Sequence, residues 1–166
     1  LMAASNMLIK WNLEKSETQI SFVNNGENPK LSSVKSIFID ENDHIWLGTT
    51  NGIYILSEEQ KFIRHLSVAD GLPGSVVTHM SKSGDGSLWI CTSNGICFAD
   101  LKSNKIGLPD KDFIVALLKG KYCNTLWFKS DNEVWAGTRE GAYFINLDTG
   151  VSLVLTTNDG LIFNEV

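Results

Sequence analysis

Apolar and polar residues alternate along most of this chain, and glycine, asparagine or aspartate interrupts the alternation about every ten residues. The pattern predicts short β-strands joined by tight turns, because successive side chains of a strand point to opposite faces of a sheet. Residues 34–39 and 45–49 read as two strands around a polar turn, and residues 53–56 and 62–66 read as two more. Four antiparallel strands therefore form one structural unit.

A twelve-residue phrase occurs three times, as IWLGTTNGIYIL at 45–56, LWICTSNGICFA at 88–99 and VWAGTREGAYFI at 134–145. The tryptophans of successive phrases are 43 and 46 residues apart, a period typical of four-stranded propeller blades. A degraded copy aligns residues 1–11 with 46–56, and residues 158–166 repeat residues 69–77. We therefore predict an all-β fold, a β-propeller fragment of about three full four-stranded antiparallel blades plus a partial N-terminal blade.

The repeat sets the expected boundaries within a single partial propeller of residues 1–166. Residues 1–23 would form the partial blade, residues 34–66, 77–118 and 123–156 the three blades, and residues 157–166 the start of a further repeat. Fourth strands are expected at 19–23, 113–118 and 152–156. A longer link at residues 102–112 displaces the second of these strands.

Two residue types recur with the phrase and predict structural roles. A single sheet cannot bury both of its faces, so a large aromatic side chain on each second strand would pack against the next blade and contribute about 1.5–3 kcal/mol. This role is predicted for Trp46, Trp89 and Trp135. Turn glycines follow at Gly52, Gly95 and Gly141. Asn51–Gly52 and Asn94–Gly95 favour a type I′ turn with two positive φ values.

Composition excludes several functions. The formal charge of −5 at pH 7 opposes binding to nucleic acid, and no apolar run is long enough to span a membrane. The cysteines have no metal-site or redox spacing and are expected to be small buried residues, and the histidines are expected at surface or turn positions. Those residues are Cys91, Cys97 and Cys123, with His44, His65 and His79. We expect neither a metal nor a cofactor.

The phrase together with a preceding DGL resembles the two-component regulator propeller repeat, whose pattern reads V…I…D…G.LW.GT.NG. The DGL lies at residues 70–72 and returns at 159–161, but none precedes the third blade. The resemblance implies a bacterial hybrid sensor histidine kinase, often from gut Bacteroidetes, with a periplasmic region of two propellers and a small immunoglobulin-like domain. It implies that this chain belongs to the sensing region, is periplasmic, takes part in binding an oligosaccharide or glycan fragment, and is not itself an enzyme.

Residues that differ between copies are the candidates for ligand binding. Ordinary propeller strand order would bring to one face the hairpin loops and inter-blade loops that contain Asn51, Asp70, Ser75, Asn94, Arg139, Glu140 and Asp159. Arg139 and Glu140 replace the Thr/Ser-Asn of the sister loops. Trp127 stands where the other copies have Phe38 and Ser81, two positions from Lys129. We therefore name Trp127, Lys129, Arg139 and Glu140 as ligand-binding candidates, with a solvated turn and core packing as the simpler alternatives.

Two other functions remain open at this stage. Propeller lyases and hydrolases place their active sites at the loop end of the channel, so an enzyme is one alternative. A purely structural segment is the other, because about half a ring would leave blade faces without neighbours. That reading predicts self-association, in which a second copy or the remaining blades of a parent propeller cover these faces.

Overall fold

The computed structural model describes residues 2–4, 7–12, 17–22, 32–107 and 112–166. Three strands form an N-terminal sheet in the order β1 (Met2–Ala4), β2 (Met7–Asn12) and β3 (Glu17–Phe22). They align with the second to fourth strands of a full repeat, so the predicted partial blade is present as a three-stranded sheet. Part of the fourth strand expected at 19–23 lies outside the described residues.

Three four-stranded antiparallel sheets follow, as the repeat predicts. The first blade contains β4 (Val34–Ile39), β5 (Ile45–Thr49), β6 (Gly52–Leu56) and β7 (Phe62–Leu66). The second contains β8 (Val77–Lys82), β9 (Leu88–Thr92), β10 (Gly95–Asp100) and β11 (Lys105–Gly107). The third contains β12 (Cys123–Ser130), β13 (Glu133–Thr138), β14 (Gly141–Asn146) and β15 (Ser152–Leu155). The first strands β4, β8 and β12 contact one another in that order, so they form the inner side of the arc.

The tryptophans occupy equivalent positions in these sheets. Each lies on the second strand of its blade and pairs across the sheet with the third strand, Trp46 with Ile55, Trp89 with Phe98 and Trp135 with Phe144. Trp46 belongs to the apolar cluster between the first and second blades, and Trp89 to the cluster between the second and third. The side of each blade that carries the tryptophan is called its forward face below. Burial between blades, the predicted role, is confirmed for Trp46 and Trp89.

The strand expected at residues 113–118 is wrong, because Asp112–Leu118 forms the helix α1 and β11 is the fourth strand of the second blade. A short apolar run does not distinguish a strand from a helix by periodicity, and the helix buries Ile114 and Leu118, four residues apart. The helix ends where the other blades have the end of their fourth strand. A Cβ built on Gly95 would lie 3.1 Å from the carbonyl oxygen of Leu118, just as one on Gly52 would meet that of Leu66.

The type I′ turns expected at the Asn-Gly pairs are also wrong. Thr49 pairs directly with Gly52, so the hairpin loop is Thr50–Asn51, and only the glycine after it has a positive φ, of 88°. Among the described non-glycine residues, positive φ values occur at Asp43, Gln60 and Asn104. The glycine is still required, because its φ lies in the left-handed region that side chains with a Cβ avoid.

The histidines and cysteines complete the comparison with the sequence. His44 lies in a turn as expected, but His65 and His79 lie half-buried in β7 and β8. Burial lowers the pKa of His79, although a hydrogen bond with the backbone of Leu126 opposes the shift. The three cysteines are buried, as predicted. No helix in the described part of the chain has the length and apolar character needed to cross a bilayer.

Candidate functional site

The hairpin loops at 49–52, 92–95 and 138–141 mark one end of the blades, called the upper end below. In each loop the second strand ends in a fully buried threonine whose hydroxyl donates to the glycine carbonyl, at 2.8–2.9 Å, and accepts from the backbone N–H two residues on. These threonines are Thr49, Thr92 and Thr138. Sequence reasoning missed this role, although the recurrence of threonine in all three phrases is the signal for it.

Most of the loop residues predicted to share the upper end form hydrogen bonds that hold the backbone of the loops in place. The carbonyl of Ser75 accepts from the N–H of Gly52, the amide of Asn94 donates to the carbonyl of Pro73, and the carbonyl of Asn51 is 2.6 Å from Nε2 of His65. Asp70 and Asp159 each close a capping box around a short 3-10 turn before glycine. The turn-forming role predicted for the two aspartates is therefore what the structure contains.

Arg139 and Glu140 differ from their sister residues because they pair with other side chains at the surface. The guanidinium of Arg139 lies 3.8 Å from the ring centroid of Tyr122, and its Nε is 3.2 Å from a carboxylate oxygen of Glu165. Glu140 forms an ion pair with Lys121, and this hydrogen bond raises the pKa of Lys121 against the opposing effect of burial. We call these five residues, Lys121, Tyr122, Arg139, Glu140 and Glu165, the rim patch.

Trp127 and Lys129 lie elsewhere. Both are on β12, where Trp127 is 60% exposed and Lys129 pairs with Glu133 at 2.8 Å. Trp127 is five residues along the chain from Tyr122, or roughly 16 Å at the rise of a strand. The four predicted ligand-binding residues therefore divide into two pairs that the structure does not bring together.

The side-chain direction of Trp127 follows from the repeat. It pairs with Trp135 just as Phe38 pairs with Trp46, and Phe38 packs into the cluster between the first and second blades. Trp127 therefore belongs to the forward face of the third blade. Core packing was the alternative role that the sequence left open for Trp127. Among the described residues, Trp127 is not part of the core.

A cleft of about 420 Å³ lies at the opposite, lower end, between the turns of the first and second blades. Its lining carries both charges, with Lys82 paired to Glu41 across the two blades. The buried Asp40 at its edge accepts from the indole of Trp46 at 3.0 Å and from two backbone N–H groups. Burial by itself raises the pKa of Asp40, but the hydrogen bonds from Trp46, His44 and Asn42 outweigh it, and the pKa is lowered.

The described side chains contain no group of three His, Cys, Asp or Glu residues placed to hold a metal ion. The charged residues of the rim patch form ion pairs, as do Lys82 and Glu41 in the cleft, where Asp85 accepts a turn hydrogen bond. The rim patch supplies hydrogen-bond donors, hydrogen-bond acceptors and the ring of Tyr122.

Known proteins resemble this chain in sequence pattern and in fold. The family model described as two component regulator propeller matches residues 29–51 and 71–94. No curated protein sequence matches the chain significantly.

Several solved structures share the fold. The extracellular domain of the putative one component system BT4673 from B. thetaiotaomicron superposes with a TM-score of 0.68 at 20% identity, covering 92% of this chain and 22% of that one. The extracellular domain of the putative hybrid two component system BT3049 from the same organism gives 0.67 at 17%, covering 93% and 25%. A catalytically inactive virginiamycin B lyase from Staphylococcus aureus, with quinupristin, gives 0.64 at 19%, covering 93% and 50%.

The chain thus spans about a quarter of the length of those extracellular domains. At these identities the superpositions establish the propeller fold, and the family model matches two segments that together make up less than a third of the chain. The chain is an all-β propeller fragment that carries two-component regulator propeller repeats.

Proposed function

We propose that this chain is part of the extracytoplasmic sensing region of a hybrid two-component sensor histidine kinase, in the periplasm. The observation that carries the proposal is the match of two successive segments to the two-component regulator propeller model. Two extracellular domains described as putative one component and hybrid two component systems share the fold and support the same assignment. The charge of −5 disfavours nucleic acid as a partner.

We propose further that the ligand is an oligosaccharide or glycan fragment and that the rim patch contributes to its binding. Recognition needs residues that differ between blades, and Arg139 and Glu140 are the upper-end residues that break the repeat. Stacking on Tyr122 and pairing with Glu165 hold the Arg139 guanidinium in one orientation. A guanidinium held in this way loses little entropy when its N–H groups donate to sugar hydroxyls.

Calorimetry of the intact sensing region with a panel of plant and host glycan fragments tests this proposal. We expect one fragment class to bind, and Arg139→Ala to weaken that binding about tenfold or more, because a hydrogen bond from a charged donor is lost. Thr50→Ala, in the equivalent loop of the first blade, is the matched control and should leave affinity unchanged. Absence of binding to every fragment would reject the glycan ligand, and unchanged affinity of Arg139→Ala would reject the rim patch.

For Trp127 and Lys129 we propose a contact with a neighbouring blade in place of a ligand. Trp127, on the forward face of the third blade, is equivalent to a residue that packs against the next blade in the first repeat. The neighbour would be another blade of the parent propeller or, in the isolated chain, a second copy. Light scattering of the isolated chain should detect self-association that Trp127→Glu reduces, and a monomer at high concentration would contradict it.

We propose no catalytic role for this segment. Propeller enzymes exist among the structural neighbours, such as virginiamycin B lyase. Acid–base catalysis needs groups that converge on one substrate, whereas the rim patch holds its carboxylates in ion pairs with Lys121 and Arg139. Turnover of a bound glycan fragment by the sensing region, followed by chromatography of the products, would overturn this assignment.

A further inference from the structure

The joints between blades contain a recurrent close contact between a glycine and the first residue of the next blade. A Cβ built on Gly48 of β5 would lie 2.8 Å from Cγ1 of Val77, the first residue of β8. On the forward face of the third blade, a Cβ built on Gly137 would lie 2.9 Å from the carbonyl oxygen of Val166. Glycine at this position lets the next first strand approach closely.

The joint between the second and third blades has a cysteine at both of these positions. Cys91 pairs with His79 on the neighbouring first strand, as Gly48 pairs with Ser36. Cys123 is the first residue of β12 and pairs with Thr138, as Val77 pairs with Thr92. The glycine and the valine of the first joint are thus both replaced by cysteine in the second joint.

The two thiols are neighbours in one apolar cluster. Cys91 and Cys123 are both fully buried between the second and third blades, and the neighbouring Cys123 helps to raise the pKa of the Cys91 thiol. Cys97 belongs to the cluster on the other side of the second blade, toward the first blade. It therefore faces away from the pair.

The spacing at the equivalent positions of the first joint is close to that of a disulfide. In a disulfide with an S–S bond of about 2.05 Å, each sulfur lies about 3 Å from the opposite Cβ. The corresponding separation in the first joint, from the Cβ built on Gly48 to Cγ1 of Val77, is 2.8 Å. A pair of cysteines at these two positions therefore lies at the distance scale of a disulfide.

We propose that Cys91 and Cys123 are a disulfide-forming site that covalently joins the second blade to the third. In the reaction each thiol loses a proton, one thiolate displaces a sulfur from an oxidised dithiol carrier or glutathione disulfide, and the second thiolate then attacks the mixed disulfide. One S–S bond forms in the protein, one is broken in the oxidant, and two thiols of the oxidant are released. This disulfide is separate from ligand sensing. It rests on the proposed function only in that the periplasm would supply the oxidant.

The bond forms while the chain folds. In the folded protein burial raises the pKa of the Cys91 thiol, and the neighbouring Cys123 raises it further, so little reactive thiolate is present. Before the joint closes, both thiols are exposed to the oxidant. A chain that folded under reducing conditions would therefore oxidise slowly.

The test is to refold the denatured, reduced chain in a mixture of reduced and oxidised glutathione and to count its thiols. We expect the count to fall from three to one, and mass spectrometry of a non-reduced digest to find the peptides of Cys91 and Cys123 linked. The cross-link should raise Tm by about 5–10 °C relative to the same protein in dithiothreitol. Cys97→Ala should give the same linked peptide.

The matched control is the double variant Cys91→Gly with Cys123→Val, which restores the residues of the first joint. It should fold, retain one thiol, and show the same Tm under oxidising and reducing conditions. Three free thiols in the refolded wild-type chain, or a linkage that involves Cys97, would overturn the proposal. Neither outcome depends on whether the sensing region binds a glycan.

Discussion

Trp89 and Trp135 occupy the same position in successive blades, but their surroundings differ. Trp89 is 1% exposed, lies edge-on to Phe98 and Phe128 at centroid distances of 4.6 and 5.1 Å, and donates its indole N–H to the hydroxyl of Ser83. Trp135 is half-buried on the forward face of the third blade. The repeat therefore determines that a tryptophan is present at this position, whereas packing against the next blade determines how deeply it is buried.

The acceptor for the indole shows the same contrast. Six residues before the tryptophan stand Asp40 and Ser83 in the first two blades, and both accept from the indole N–H. The third blade has Lys129 there, and its ammonium group can only donate, so it pairs with Glu133 instead. The third blade thus differs in sequence as well as in its neighbours.

The largest effect is expected for Trp89→Ala. It removes a fully buried side chain and leaves a cavity between two blades, so the free energy of unfolding should fall by about 3–5 kcal/mol. Urea denaturation followed by circular dichroism measures the change. Trp135→Ala is the control and should cost clearly less in the monomer, and an equal loss would show that burial at the joint is not what stabilises the blade.

A methyl group at the first joint should have the next largest effect. Gly48→Ala brings its Cβ to 2.8 Å from Val77, so either the blades must shift or Val77 must leave its rotamer, at a cost of about 1–3 kcal/mol. The comparison is Gly107→Ala, whose Cβ would have no neighbour within 4 Å. If thermal unfolding found the two variants equally stable, the close approach of the blades would not be a constraint.

The contribution of the threonine hydrogen bonds to stability should not depend on whether a neighbouring blade packs against the sheet. Thr92→Val leaves the carbonyl of Gly95 and the N–H of Asn94 without this partner, which should lower the free energy of unfolding by about 1–2 kcal/mol. Thr138→Val, on the third blade, should cost the same because these bonds lie within one sheet. Unequal losses in urea denaturation would indicate that the neighbouring blade contributes.

The smallest effect is expected for the dependence of stability on pH in acidic solution. Because the pKa of Asp40 is lowered below its ordinary value of 3.8, the folded carboxylate adds stability above that pH and loses it as the pH falls through the lowered pKa. Asp40→Asn should lower the free energy of unfolding at pH 7 by about 1 kcal/mol, because hydrogen bonds to a charged acceptor become bonds to a neutral one, and it should flatten the fall in stability below pH 4. Tm measured against pH tests this, and an unchanged slope in Asp40→Asn would contradict the role of its carboxylate.

Local pattern was sufficient for most strands. The bounds of β4, β5 and β7 agree with the sequence prediction, because alternation and turn residues act within a few positions of each other. The strand predicted at residues 113–118 was wrong because an apolar run of six residues fits a strand or a helix equally well. The choice was made by tertiary contacts that bury Ile114 and Leu118 in the apolar cluster between the second and third blades.

The candidate site was predictable only in part. Departures from the repeat identified Arg139 and Glu140, and these lie in the rim patch. The partners of Arg139, Tyr122 and Glu165, are far from it in sequence and belong to no repeated pattern, so no spacing rule points to them. The facing pair of cysteines likewise emerged only when the register of β9 and β12 was known.

The sequence alone determined the repeating four-stranded unit, because strand alternation, turn glycines and a recurrent tryptophan are each specified within some 45 residues. The packing of one sheet on the next decided the rest. It determined which tryptophan is fully buried, which loop residues form ion pairs and which cysteines are neighbours. Such packing joins residues that are far apart in the chain, such as Gly48 with Val77 and Arg139 with Glu165, and a single contact of this kind leaves no repeating pattern in the sequence.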